Sequence, residues 1–398
     1  MYILKTIWLI IFLIQANNIH SMQLVYLDIK PVETRAVLPN FDLPKIKELI
    51  QSNKPAIEEV DEKDDQSKNL IEQNIKYHKA IYINYWAASS ASARNKLFEL
   101  IDNSDINTVV IDVKNEYGDL FYNSDIKTAQ EVFANNVAFV KDSAKFLAPF
   151  KQRNLYIIAR MSIFKDALLA KNKPQYAIKN KEGDVWLDAN NLAWSDPFNE
   201  EVRSYNVQIA VDVAKMGFDE VQFDYVRFPG RSGLSYSKTN TQTNRVNAIK
   251  AFLQSTQEML KPLNVKTSFA TFGYACWNKG DTYIGHQLTT LAPFVDYISP
   301  MLYPSSFQYG VIGYKNGVEH PGKVVELSLN NCTKLTGLAP GRFRPWLQAF
   351  TDYSFDKRKF LKEQIQQQIN AAEDFKADGW ILWNPSSRYQ LESINAAE

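Results

Sequence analysis

The chain is predicted to be an α/β protein built on a parallel (β/α)8 barrel, and three observations carry that prediction. From His78 onward, short β-rich runs alternate with amphipathic helical stretches, and eight such runs can be counted. Strand–helix alternation of this length is how a parallel sheet covers both of its faces. The glycine-rich first turn that a doubly wound sheet uses for phosphates does not occur, as either GxGxxG or GxxxxGK[ST]. Finally, polar residues gather at the C-terminal ends of the runs, where barrel active sites lie.

The runs are Ala80–Tyr85, Thr108–Val113, Leu155–Arg160, Glu220–Val226, Lys266–Thr271, Val295–Leu302, Arg344–Ala349 and Gly379–Trp383. Between them, Val202, Tyr205, Ile209, Val213 and Met216 form one helical stripe. Asp196 and Pro197 are expected to start that helix as N-cap and first residue. Val246, Ile249, Phe252, Leu253 and Met259 make a second stripe, and Leu361, Ile365, Ile369 and Phe375 a third.

The N-terminus reads as a targeting segment. Lys5 precedes an apolar run from Ile7 to Ile14, too short for the roughly 20 residues that a membrane-spanning helix needs. Residues 1–21 are therefore expected to be a signal peptide, with an uncleaved anchor as the alternative. Residues 22–77 hold a possible strand, Leu24–Ile29, and a charged linker from Ser52 to Asn74. Residues 78–398 are the barrel. Export to a periplasmic or extracellular setting makes a Cys276–Cys332 disulfide chemically possible. Nothing in the spacing argues for it, and two buried free thiols fit as well.

Composition excludes some functions. The 398 residues are 45% hydrophobic and 22% charged, enough for a sizeable core. Lys plus Arg number 45 and Asp plus Glu 44, a net charge of +1 that gives no case for nucleic-acid binding. Two Cys and four His leave little room for a zinc site, and no HExxH or paired-His spacing supports a metal. No cofactor is implied. His286 is expected on the surface or in a loop. The 8 Trp and 20 Tyr suit either a ligand cleft or a core.

Strand-end residues supply the chemistry. The second run ends in Asp112, Lys114 and Glu116, the third in Arg160, and the fourth in Asp224, Tyr225 and Arg227. The sixth ends in Tyr303, the seventh carries Trp346 and Gln348, and the eighth ends in Trp383 and Asn384. Period-2 alternation puts Val110, Asp112 and Lys114 on one face, and Gln222, Asp224 and Val226 on another. Both sets are candidates to face the barrel mouth. Two carboxylates there, ringed by arginines and aromatics, are what glycosidic cleavage needs: one acid that keeps its proton and one that is ionised. The structural alternatives are an Asp112–Arg160 salt bridge closing the barrel, an Asp224–Arg227 pair, and Trp383 as barrel packing.

Several stretches together, among them VVIDVKNEYGDLFY (109–122), GFDEVQFDYVRFP (217–229), LAPFVDYISPMLYPSSF (291–307) and DGWILWNPSSRY (378–389), resemble the bacterial DUF4015 family. The resemblance runs from about Lys79 to the C-terminus. It implies a TIM-barrel, glycoside-hydrolase-like domain, often exported. Within it, Asp224 of FDYVRFP and Asp112 of V-I-D-x-K match the suggestive acids, and Arg160, Tyr303, Trp346 and Trp383 match strand-end positions. In the fifth strand Ala270 stands where relatives carry an acid, and Asn115 stands where an acid commonly follows the lysine.

The expectation is thus an exported glycoside hydrolase acting on a polysaccharide or oligosaccharide. Asp224 would be nucleophile or base and Asp112 or Glu116 proton donor. Arg160, Tyr225, Arg227, Tyr303, Trp346, Gln348, Trp383 and Asn384 would hold the sugar. A membrane enters only through the signal segment if it is uncleaved. The alternatives are a carbohydrate-binding barrel that has lost catalysis and a structural envelope protein. Asp224 is further expected to line the largest pocket.

Overall fold

The computed structural model describes residues 77–395. The expected signal peptide, Leu24–Ile29 strand and charged linker fall outside the described residues. The eight strands are β1 His78–Ile83, β2 Thr108–Lys114, β3 Tyr156–Ser162, β4 Glu220–Asp224, β5 Lys266–Phe272, β6 Tyr297–Met301, β7 Trp346–Gln348 and β8 Gly379–Trp383. Each overlaps one predicted run. They pair in parallel, each with its neighbour in sequence, and β8 returns to β1 to close the barrel. The barrel helices are α1 Ala91–Asp102, α2 Ser143–Lys151, α3 Glu200–Lys215, α4 Gln242–Leu260, α5 Leu288–Leu291, α6 Pro321–Thr336, α7 Lys362–Asp374 and α8 Leu391–Ile394, and three further short helices, Tyr85–Ser89, Lys127–Glu131 and Ala167–Asn172, lie in the connections.

The strands read as apolar runs because both of their faces are buried, one inside the barrel and one under the helices. Every residue of β2 and β3 is buried. The barrel interior is filled by Ala80, Tyr82, Val110, Tyr156, Ile158, Ala270, Trp346 and Ile381. At the closing seam a side chain on Gly379 would bring a Cβ to 2.1 Å from the His78 carbonyl oxygen, so only glycine lets β8 meet β1.

Several expectations are corrected. The helix after β3 starts one turn later than predicted: Asn199 caps α3 through Glu201 and Val202. Asp196 instead accepts from the backbone of Phe198 and Ser237 and shapes the approach. Lys114 does not share a face with Asp112. The β2–β3 register shifts between these two residues, which turns Lys114 outward to Asp166, 2.7 Å away, and to Asn206 on α3. His286 is in a loop but fully buried, bonded to Thr271, Phe272 and the Val226 carbonyl. Cys276 and Cys332 form a disulfide.

Candidate active site

The site is built around Arg160, near the end of β3. Alternation on β3 sends Tyr156, Ile158 and Arg160 inward, and the arginine ends 1% exposed. A guanidinium so buried needs carboxylate partners. It has three. Nη1 donates to Asp112 Oδ1 at 2.6 Å, Nη2 to Glu116 Oε1 at 3.1 Å, and Nη2 and Nε both reach Asp224 Oδ2, at 2.6 and 3.0 Å. Asp112 and Asp224 are therefore one guanidinium apart, and the alternative of an Asp224–Arg227 pair gives way to Asp224–Arg160.

Each carboxylate is fixed differently. The Tyr82 hydroxyl donates a short hydrogen bond to Asp112 Oδ2. Asp224 is the last residue of β4, and its Oδ1 accepts the N–H of Tyr225 at 2.6 Å. Tyr225 adopts a left-handed backbone, φ 48°, a conformation that costs a non-glycine residue about 1–2 kcal/mol. It breaks the strand at the point where the carboxylate must face the mouth. Glu116 sits on the turn after β2 and is the most open of the three, with its side chain 25% exposed against 11% for Asp224 and 6% for Asp112.

Electrostatics separate these acids. Burial pushes the Asp112 carboxyl up to about 6; Arg160 opposes the rise and the neighbouring Glu116 charge adds to it. Burial also acts on Glu116, but Arg160, a backbone N–H and Lys165 outweigh it and hold that group below the usual carboxylate range.

Aromatic rings wall the cluster. Trp383 lies 5.0 Å from the Arg160 guanidinium and 4.0 Å from the Tyr82 ring. Trp346 is buried beneath, edge-on to Trp383 at 5.3 Å. Tyr303 packs against this core and, with its hydroxyl pushed up by burial and by Asp224, stays protonated. On the other side the Arg227 guanidinium stacks on Trp194 and Tyr225, at 4.9 and 5.4 Å.

Two predicted sugar binders are spent elsewhere. Gln348 is fully buried and ties its amide to Ser305 and the Phe350 carbonyl. Asn384 donates to the Ala349 and Arg388 carbonyls and accepts from Ser386. Both shape the mouth loops. Ala270 faces the barrel core, 1% exposed. Asp224 lines neither of two large cavities, of about 560 and 610 Å³, so the expectation of a largest pocket at Asp224 is not met there.

Sequence reasoning missed Tyr82, although period-2 alternation from Ala80 puts it on the inner face. It also missed Lys165, which is buried, pairs with Asp188 at 2.9 Å and faces the Tyr225 ring. No pattern in its loop announces that role. Among the described residues no group of three His, Cys, Asp or Glu is placed to hold a metal ion.

Comparison with known proteins agrees with this architecture. The model of the DUF4015 family, described as "Putative glycosyl hydrolase domain", matches residues 80–389. A search of curated proteins gives no match. Among solved structures, the glycoside hydrolase domain of PgaB (BpsB) from Bordetella bronchiseptica aligns with a TM-score of 0.57 at 10% identity, over 78% of this chain and 95% of that one. The C-terminal domain of a putative chitinase from Desulfitobacterium hafniense aligns with a TM-score of 0.51 at 11% identity, over 80% and 96%. At such identities the likeness shows the fold alone. A hypothetical protein from Ruminiclostridium thermocellum is 32% identical over 48% of this chain and 96% of its own, with a TM-score of 0.43. The family match spans nearly the whole barrel, from β1 to the loop beyond β8, and on that ground the chain belongs to the DUF4015 putative glycosyl hydrolase family.

Proposed function

We propose that the barrel mouth is the catalytic centre of a glycoside hydrolase that cleaves a polysaccharide outside the cytoplasm. Asp112 is the proton donor and Asp224 the nucleophile or base. The observation that carries this reading is the convergence of three carboxylates on Arg160, with Asp112 and Glu116 pushed in opposite directions. Glycosidic cleavage asks for an acid that keeps its proton: Asp112 gives it to the leaving oxygen, and the Asp224 side chain, on the far side of Arg160, attacks the sugar carbon or takes a proton from water. One water is consumed per bond. Glu116, held ionised, suits an orienting role on Arg160 better than proton donation. Trp383 and Tyr303 offer ring faces to the sugar. The Cys276–Cys332 disulfide fits an oxidising compartment outside the cytoplasm.

The test is release of reducing ends from cell-envelope polysaccharides by the wild type, Asp224→Asn, Asp112→Asn and Glu116→Gln. Asp224→Asn is nearly isosteric and is expected to abolish turnover while changing stability by no more than about 1–2 kcal/mol. Asp112→Asn is expected to lose about 10²–10⁴ in rate, and Glu116→Gln less. Undiminished turnover in Asp224→Asn removes that residue from the mechanism.

A second reading is favoured by one observation. Arg160 fills the space between Asp112 and Asp224, and Ala270 supplies no further acid. A barrel that binds sugar without cleaving it would look the same. Measurable sugar binding with no turnover in the wild type or in Ala270→Asp decides for that reading.

A further inference from the structure

Beside the mouth lies a second feature that the three carboxylates do not use. Tyr85 and Trp86 follow β1, and Phe139 follows β2. Their rings form one cluster, with centroids 5.0, 5.8 and 5.1 Å apart. Trp86 is 58% exposed and Phe139 39%. Among the described residues every exposed aromatic ring lies on a segment that runs from a strand to the next barrel helix, on the side of the mouth. Only this cluster opens onto a large cavity, about 560 Å³, among those two of that size. The cavity wall adds Arg94, Lys141 and Lys145 against a single carboxylate, Asp142. Asp142 is itself engaged, capping α2 through the Lys145 N–H at 3.0 Å and facing the Lys145 ammonium at 3.5 Å. Arg94 spends a donor on a neutral partner, the Ala88 carbonyl, at 2.7 Å. The wall therefore keeps a net positive charge next to an open aromatic platform.

The platform connects to the acids. Tyr85, whose ring is shared with Trp86 and Phe139, also lines a small void with Asp112, Asn115 and Asp119. The platform therefore borders the Asp112 side of the mouth.

We propose that Trp86 and Phe139, with Arg94, Lys141 and Lys145, form an outlying subsite for an anionic polysaccharide, whose sugar faces stack on the rings and whose carboxylates meet the cations. Aromatic faces take the apolar faces of sugars. An exposed cationic rim favours an acidic polymer over a neutral one and makes binding sensitive to salt. This deepens the proposed function by naming its substrate class, and it rests on that reading.

The experiment is affinity electrophoresis of the wild-type protein in native gels cast with polygalacturonate or with neutral hydroxyethylcellulose. Retardation is expected in polygalacturonate and not in hydroxyethylcellulose. Trp86→Ala removes no charge and is expected to weaken retardation about tenfold, equivalent to ~1.4 kcal/mol. Lys141→Gln with Lys145→Gln is expected to weaken it at least as much, and Lys323→Gln on the outer face of α6 not at all. Absence of retardation in polygalacturonate overturns the proposal, and so does retardation that survives Trp86→Ala. Equal retardation in both polymers overturns the anionic specificity. Reducing-end release is scored separately. Binding lost in Trp86→Ala, with no turnover by any variant, supports this subsite while the catalytic reading fails. Turnover with no Trp86-dependent binding does the reverse.

Discussion

Arg344 at the N-terminal end of the barrel and Arg160 at the mouth are both buried arginines that bridge carboxylates, yet their surroundings differ. Arg344 and Glu220 are fully buried, joined at 2.8 Å, and Asp378 completes the group at 2.6 Å. The Tyr156 hydroxyl takes up Glu220 and the Tyr297 ring covers the guanidinium. The Arg344–Glu220 pair is sealed, while Asp378 at its edge keeps 19% exposure, so two acids meet one base. The mouth sets three acids against one base and leaves Glu116 reachable. A one-to-one pair buried beyond the reach of water, Arg344 with Glu220, is a plug. An open cluster with surplus carboxylates has capacity for a reaction. Charge at the strand N-termini of a barrel reads as stability and charge at the C-termini as function.

The contrast makes its largest prediction for the arginines. Arg344→Met strands the fully buried Glu220 carboxylate and is expected to cost about 3–5 kcal/mol. Arg160→Met is expected to cost roughly half of that, because water can reach Glu116 and a proton can neutralise Asp112. Urea denaturation of both variants checks this, and an equal loss would erase the distinction between plug and site. Reducing the Cys276–Cys332 bond comes next. Its 56-residue separation implies a loss of about 2–4 kcal/mol, read as a lower melting temperature with dithiothreitol.

The smallest effects have opposite signs at the two ends. Asp112 titrates near 6 when folded, above its ordinary value of about 3.9. The folded state thus holds the extra proton, and this group's contribution is present below about pH 4 and lost as pH rises to about 6. His78 behaves the other way. Burial, then Arg344, lowers its affinity for a proton, and Asp378, 3.9 Å away, is already held by Arg344. Its contribution is present above pH 6.5 and is lost as pH falls. Each slope is limited to about 1.4 kcal/mol per pH unit. Asp112→Asn is expected to remove the loss between pH 4 and 6, and His78→Gln to flatten the loss below pH 6.5. Stability profiles by urea denaturation at each pH test both. Identical profiles for Asp112→Asn and the wild type would remove the mouth's preference for acid.

Much of this was legible in the sequence, for a physical reason. Strands buried on both faces announce themselves as apolar runs, so all eight were found. Charged residues inside such runs, Asp112, Arg160 and Asp224, stand out because burial demands a partner. The rest depended on backbone detail. A one-residue register shift turns Lys114 out of the barrel while Asp112 stays in, and strict alternation cannot anticipate it. Gln348 and Asn384 sit at strand ends like the true mouth residues, but their amides bond to loops whose course a sequence does not give. His286 carries no pattern because its partners are Thr271 on β5 and the Val226 carbonyl in the loop after β4, which only the fold brings to it. The cysteines meet only once the turn after β5 is laid against α6.

That last contact has a mechanical consequence. The disulfide joins the Gly273–Trp277 turn to the C-terminal half of α6, and Trp277 donates to Ser328 on the same helix. Strand β6 and its loop, which carries Tyr303, lie between the two anchor points in the chain. The rim is therefore hemmed on the β5–β6 side by a covalent stitch. With only two cysteines in the chain, the segments after β1 and β2, where Trp86 and Phe139 stand, have no such seam. The rim is thus tied by a covalent bond on one side and held by packing and hydrogen bonds alone on the other, a seam and a free hem around the same mouth.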